Sequence, residues 1–204
     1  MTPVEVHDFL RQIGSHWTGQ GTAMELGSWL GASAVPLLEG LAAAGYDRQF
    51  WAFDKWITNE EQVKKASLQG QELKNKQDIL PLFIRNTASA YSAVTAVRGA
   101  IPETLKRYSG DPIEICIFDA PKRNPVFIKS MQALEPYFIP GVTILGLLDY
   151  YFYKRNKGER EALFQVQEEF IQAHPESFTK IMEWPGLCSC AFFKYKNPVK
   201  WKQK

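Results

Sequence analysis

The feature that most constrains this chain is the order of its apolar runs, because short strand-like segments and amphipathic helical segments alternate along most of its length. The runs 22–26, 50–53, 113–118 and 142–148 have strand length and are rich in aliphatic, aromatic and β-branched residues. Helices are expected over 4–13, 34–44, 102–108, 124–137 and 159–173, the last ending near His174-Pro175. In the second of these Ser33 stands at the cap, Pro36 in the first turn and Gly45 at the stop. The Lys- and Gln-rich segment 59–78 reads as a largely exposed helix, and 79–84 and 93–98 both read as extended. Two strands, 178–184 and 187–195, close the chain in succession around a Pro185-Gly186 turn. Alternation of this kind predicts an α/β fold with a parallel sheet covered on both faces, and the closing pair adds an antiparallel last strand.

The 204 residues suit a single domain, 1–204, with a helical extension over 1–20 and a basic tail over 196–204. Hydrophobic residues at 45% and charged residues at 23% exclude general disorder. The longest apolar stretch, 141–152, is interrupted by Asp149 and falls short of the roughly 18 residues a bilayer requires. Glu5, His7 and Asp8 stand where a secretory signal would need a basic start and an apolar core, so the expected address is cytoplasmic. The net charge is only +2, and the last eleven residues carry five lysines and no acid. Such a tail is read as a solvated terminus, so neither a nucleic-acid nor a membrane partner is expected. Homo-oligomerisation is left open. Cys116, Cys188 and Cys190 lack the number and spacing of a disulfide framework or a structural zinc site, and read as small buried side chains.

The chemistry is expected at strand ends, since open parallel sheets bind ligands beyond the carboxyl ends of their strands. Glu25-Leu-Gly27-Ser-Trp-Leu-Gly31-Ala-Ser33 is a strand-to-helix glycine turn, and Asp54, Asp119 and Asp149 each end a strand. Trp29 occupies the second glycine position of the dinucleotide fingerprint, which disfavours a pyrophosphate and with it a nicotinamide-dependent oxidoreductase. Asp54 suits the two hydroxyls of a ribose. A glycine turn followed by a ribose-binding acid, without phosphate signatures, describes a nucleoside cofactor such as S-adenosylmethionine.

The ordered series Glu25-x-Gly27-x-x-x-Gly31-Ala-Ser33, Asp54, Arg98-Gly-Ala-Ile-Pro-Glu-Thr-Leu105, Ile117-Phe-Asp119 and Leu147-Leu-Asp149-Tyr-Tyr151, with Gly158-Glu-Arg-Glu-Ala162 at a helix start, resembles the macrocin O-methyltransferase family of class I methyltransferases. The resemblance runs from about Thr22 to Tyr195. It implies a Rossmann-like, doubly wound sheet of about seven strands that binds S-adenosylmethionine. By position, Glu25, Gly27, Gly31 and Ser33 would surround the methionine end and Asp54 the ribose. Gly99 and Ala100 would lie beside the adenine, with Asp119 near the reactive end.

Methyl transfer needs an acceptor oxygen aligned with the methyl group and a group to take its proton. The resemblance also implies a divalent metal held by carboxylates. Asp119 and Asp149 match two of those positions, while Pro121 and Tyr150 replace the other two acids. Two carboxylates with waters would hold Mg2+ weakly. Without metal, Asp149 is the preferred proton acceptor and His16 the other candidate base, although a surface loop histidine explains His16 as well. Lys122 and Arg123 suggest an acidic acceptor. Trp56 and the aromatics of 150–153 suit either stacking or the core. The resulting expectation is an O-methyltransferase for a hydroxyl of a small molecule, a sugar or a hydroxylated metabolite. The alternative is a non-catalytic or regulatory binding protein on the same fold.

Overall fold

The computed structural model describes residues 3–68, 70–155, 164–186 and 188–201. One seven-stranded sheet has the order β3-β2-β1-β4-β5-β7-β6. Its strands are β1 (Thr22–Leu26), β2 (Phe50–Asp54), β3 (Val94–Arg98), β4 (Ile113–Phe118), β5 (Ile144–Leu147), β6 (Phe178–Trp184) and β7 (Cys190–Tyr195). The first five pair in parallel, and β7 inserts antiparallel between β5 and β6. The expected antiparallel closing strand is therefore present.

Side chains alternate across this sheet with period two, which divides the core into two layers. Met24, Leu26, Cys116, Phe118 and Phe193 face α5 (Val126–Leu134) and α6 (Val166–Ala173). Ala23, Ile115, Ile117 and Phe192 face α1 (Val4–Ser15), α2 (Ala34–Ala43) and α4 (Leu80–Ala88). Helix α1 packs closely on α2. A Cβ at Gly40 would overlap the Arg11 carbonyl oxygen, and one at Gly14 would lie 2.6 Å from that of Leu37, so the two helices touch backbone to backbone.

Several elements depart from the sequence reading. The segment 59–78 is helical only as α3 (Glu60–Ser67), where Asn59 and Gln62 form a reciprocal capping box. The run 79–84 is helical, not extended. Its apolar residues fit either period, and the helix puts Phe83 against Trp56, with ring centroids 5.1 Å apart. Helix 124–137 is shortened to α5 followed by a 3-10 turn, Glu135–Tyr137. The start of the expected helix 159–173, with the motif 158–162, and Leu187 lie outside the described residues.

The basic tail is not a free terminus as far as Trp201. Buried Glu135 accepts hydrogen bonds from Tyr195, from the Val199 amide at 2.7 Å and from the Trp201 indole at 3.3 Å. The cysteines are free, with Cys116 and Cys190 buried and Cys188 half-buried. Among the described residues no helix is long and apolar enough to cross a membrane.

Candidate functional site

The five parallel strands bring their carboxyl ends to one edge, and four of the tips carry acids or glycine turns with the chemistry of a ligand site. At the tip of β1 the chain reverses into α2 through Gly27 at φ +95° and Gly31 at φ +91°, with Trp29 between them at φ +45°. Gly27 is required by contact as well as conformation. A Cβ there would lie 2.5 Å from both the amide nitrogen and the Cβ of Ala120, in the loop after β4. That loop is tied down, because the Asp119 and Ala120 amides both donate to the Leu26 carbonyl, at 2.8 and 2.9 Å. The turn after β1 and the loop after β4 are thus held in close contact.

Asp54 faces this turn. Its Oδ2 accepts from the Trp29 amide at 3.0 Å and its Oδ1 from the Trp56 amide at 2.7 Å. The carboxylate is half-exposed, and each oxygen keeps lone-pair capacity for a ligand hydroxyl. The Trp56 indole donates to the Trp29 carbonyl at 2.9 Å and is fully buried, so this tryptophan locks the turn from behind. Tyr150, Tyr151 and Tyr153 are buried too, which assigns these aromatics to the core. Beside Asp54, Gly99 at φ +143° donates its amide to the Asp54 carbonyl at 2.9 Å. The exposed Ala100 accepts from Thr104 through its carbonyl.

Glu25 sits beneath the turn, on the α2 side of the sheet, and is fully buried. Ser33 stands at the start of α2 but does not cap it; its hydroxyl donates to Glu25 Oε1 instead. Glu25 Oε2 has no partner among the described residues. Burial pushes this carboxyl up to about 8. The Ser33 hydroxyl opposes the shift, while the negative charges of Asp119 and Asp54 add to it. A buried acceptor left unpaired is costly.

Asp119 and Asp149 follow the neighbouring strands β4 and β5. Desolvation first, and the charge of Asp149 second, push the Asp119 carboxyl up to about 6. Asp149 Oδ2 accepts from Lys122 Nζ at 2.5 Å. Burial works against the Lys122 ammonium, yet the two carboxylates outweigh it and hold its affinity for the proton above the ordinary lysine value. Arg123 is engaged elsewhere, 5.0 Å over the Phe164 ring. The spacing Asp119-x-x-Lys122 signals this pairing only weakly, since Asp149 is reached through the fold.

His16 is not brought to this edge. It ends α1, with Nδ1 2.7 Å from the Gln12 carbonyl, and is exposed. The loop after it is anchored at the opposite end of the sheet. There the amides of Thr18, Gln20 and Gly21 donate to Glu114, near the start of β4, at 2.5, 3.0 and 3.1 Å. The length of β1, about 13 Å at 3.3 Å per residue, separates this loop, and His16 before it, from the glycine turn.

No family model matches the chain, and no curated protein matches it. Solved structures do. A cofactor-bound protein from MTB superposes with a TM-score of 0.64 at 16% identity, over 97% of this chain and 83% of that one. The TDP-rhamnose 3'-O-methyltransferase of calicheamicin biosynthesis gives 0.57 at 14%, over 94% of this chain and 77% of that one. An S-adenosylhomocysteine-bound methyltransferase from Podospora anserina gives 0.59 at 12%, over 97% and 80%. At these identities the likeness is one of fold: a Rossmann-like seven-stranded sheet, parallel but for β7.

Proposed function

We propose that this fold serves as an S-adenosylmethionine-dependent O-methyltransferase for a hydroxyl of a small molecule, a sugar or another hydroxylated metabolite. Fold alone does not carry that reading. The observation that does is the buried Glu25 carboxyl, with one oxygen bound to Ser33 and the other orphaned, under a glycine turn that Asp54 holds from the side. An ammonium group satisfies the orphaned oxygen, a ribose diol suits Asp54, and between them Gly27 packs tightly against Ala120.

Bound there, the cofactor supplies an electrophilic methyl group on a sulfonium. Glu25 and Ser33 hold its amino-acid end, and the Gly99-Ala100 tip borders its base. The acceptor hydroxyl enters over the tips of β4 and β5. Asp119, whose carboxylate has no hydrogen-bond or ion-pair partner among the described residues, would take the proton of the acceptor hydroxyl. Asp149, held by Lys122, orients the acceptor.

Thermal unfolding tests the reading. S-adenosylhomocysteine at about 100 times its Kd is expected to add about 2.7 kcal/mol, which raises Tm by about 5–10 °C for a chain of this size. NAD should leave Tm unchanged. A shift with NAD and none with S-adenosylhomocysteine would overturn the proposal. Asp54→Asn keeps one acceptor oxygen and loses the charge. It is expected to weaken S-adenosylhomocysteine by about tenfold, within the range for hydrogen bonds to charged groups, as read by calorimetric titration.

A further inference from the structure

We infer that the ammonium of Lys122, paired with Asp149, is the resident cation beside the carboxylates at the tips of β4 and β5, so that transfer proceeds without bound metal. The inference rests on the methyltransferase reading for its meaning, but the placement of the cation is independent of it.

The donor set fits a metal poorly. Mg2+ requires a near-octahedral shell of oxygens, and its protein ligands are carboxylates free to turn towards it. Of the two acids here, Asp149 already gives Oδ2 to Lys122 at 2.5 Å. Neither neighbouring stretch supplies another carboxylate. Ala120 and Pro121 follow Asp119, and Tyr150 follows Asp149 with its ring buried against Tyr151 and Phe193, at centroid distances of 4.7 and 5.2 Å. Among the described residues no three His, Cys, Asp or Glu side chains gather as a metal site.

Lys122 is fixed in place rather than swinging on a free loop. Its amide donates to the Ala120 carbonyl at 2.8 Å, and Gln167 on α6 holds the Pro121 carbonyl at 3.2 Å. The ammonium also lies 5.1 Å from the centre of the Phe152 ring, a cation–π contact. Helix α3 adds charge, with Lys65 acting on Asp119 and Glu61 on Lys122. A divalent ion would have to displace an ammonium seated by an ion pair, a ring and a tethered turn. An ammonium carries three donors, and one spent on Asp149 leaves two for an acceptor oxygen. Lys122 is thus a positioning residue that gives the site its positive charge without a metal's open coordination sphere.

Manganese binding, followed by electron paramagnetic resonance, tests the assignment on the whole protein with and without S-adenosylhomocysteine. Wild type is expected to leave Mn2+ free at concentrations up to about a millimolar, the weak end of the range for oxygen-ligand sites. Lys122→Met exposes both carboxylates and is expected to bind Mn2+ at least about tenfold more tightly, while Lys122→Arg, which keeps the charge, stays like wild type. Lys122→Met should also lower Tm, and adding Asp149→Asn should restore part of the loss, a coupling that a structural defect elsewhere would not give. Micromolar Mn2+ binding by wild type that Asp149→Asn removes would overturn the inference, as would a Lys122→Met protein that gains no affinity. If Lys122→Met does not fold, the wild-type and Lys122→Arg titrations still decide between these outcomes. Failure of S-adenosylhomocysteine to bind wild type would instead remove the cofactor reading, because the cation titration is read on the unliganded protein as well.

Discussion

Affinity for S-adenosylhomocysteine is expected to rise by up to about tenfold per pH unit from pH 6 towards 8 and then to level off, and Glu25→Gln is expected to remove that slope. In the free protein, burial holds the Glu25 carboxyl protonated at neutral pH, with its titration pushed up to about 8. A ligand ammonium needs the carboxylate, so binding must release a proton. Each pH unit below the free-protein value then costs one decade of affinity. Calorimetric titration in buffers of different ionisation enthalpy would measure the released proton directly; a flat profile would show that Glu25 does not meet the ligand.

The same group gives a stability test that needs no ligand. Its folded value lies above the ordinary glutamate value of 4.5, so the folded state binds the proton more tightly than the unfolded chain across the window from about 4.5 to about 8. The contribution is complete below that window and is lost as pH rises through it. The loss is on the order of 5 kcal/mol at 1.36 kcal/mol per unit. Glu25→Gln retains an acceptor for Ser33 and should therefore match wild type near pH 5 and exceed it in Tm near pH 9.

Gly27→Ala is expected to produce the largest loss among the turn glycines, roughly 2–4 kcal/mol, or about 5–15 °C in Tm. Two costs combine. The backbone at φ +95° is left-handed, and the new Cβ would meet the amide nitrogen and Cβ of Ala120 at 2.5 Å. Ala120 has no room to yield, since its amide and that of Asp119 are bonded to the Leu26 carbonyl. Any displacement also moves Asp119, so S-adenosylhomocysteine affinity should fall more steeply than stability. Gly31→Ala should cost less, because its nearest neighbour, the Thr87 methyl at 3.3 Å, is a side chain. At Gly45 nothing lies within 4 Å of the added Cβ, so Gly45→Ala isolates the backbone cost of φ +75°. Thermal unfolding of the three variants should rank Gly27, Gly31, Gly45; equal losses would mean that the contact with Ala120 has no energetic weight.

The chain's own pattern determined whatever depends on near neighbours. Strand length, period two and glycine placement are local properties, so the alternation, the turn after β1, the acids at the tips of β2, β4 and β5, and the antiparallel closing strand were readable from residue order. Tertiary packing decided the rest. The run 79–84 satisfies both periods, and the helix it adopts packs Phe83 against Trp56. Ser33 has the chemistry of a cap, yet a buried carboxyl eight residues away claims its hydroxyl. His16 adjoins β1 in sequence but at its amino end, a whole strand length from the glycine turn. Lys122 and Asp149 stand 27 residues apart and meet because β4 and β5 are neighbours in the sheet. Charge pairs of this kind depend on which strands lie side by side, and that order is set by the burial of both sheet faces at once, a property no short window of sequence contains.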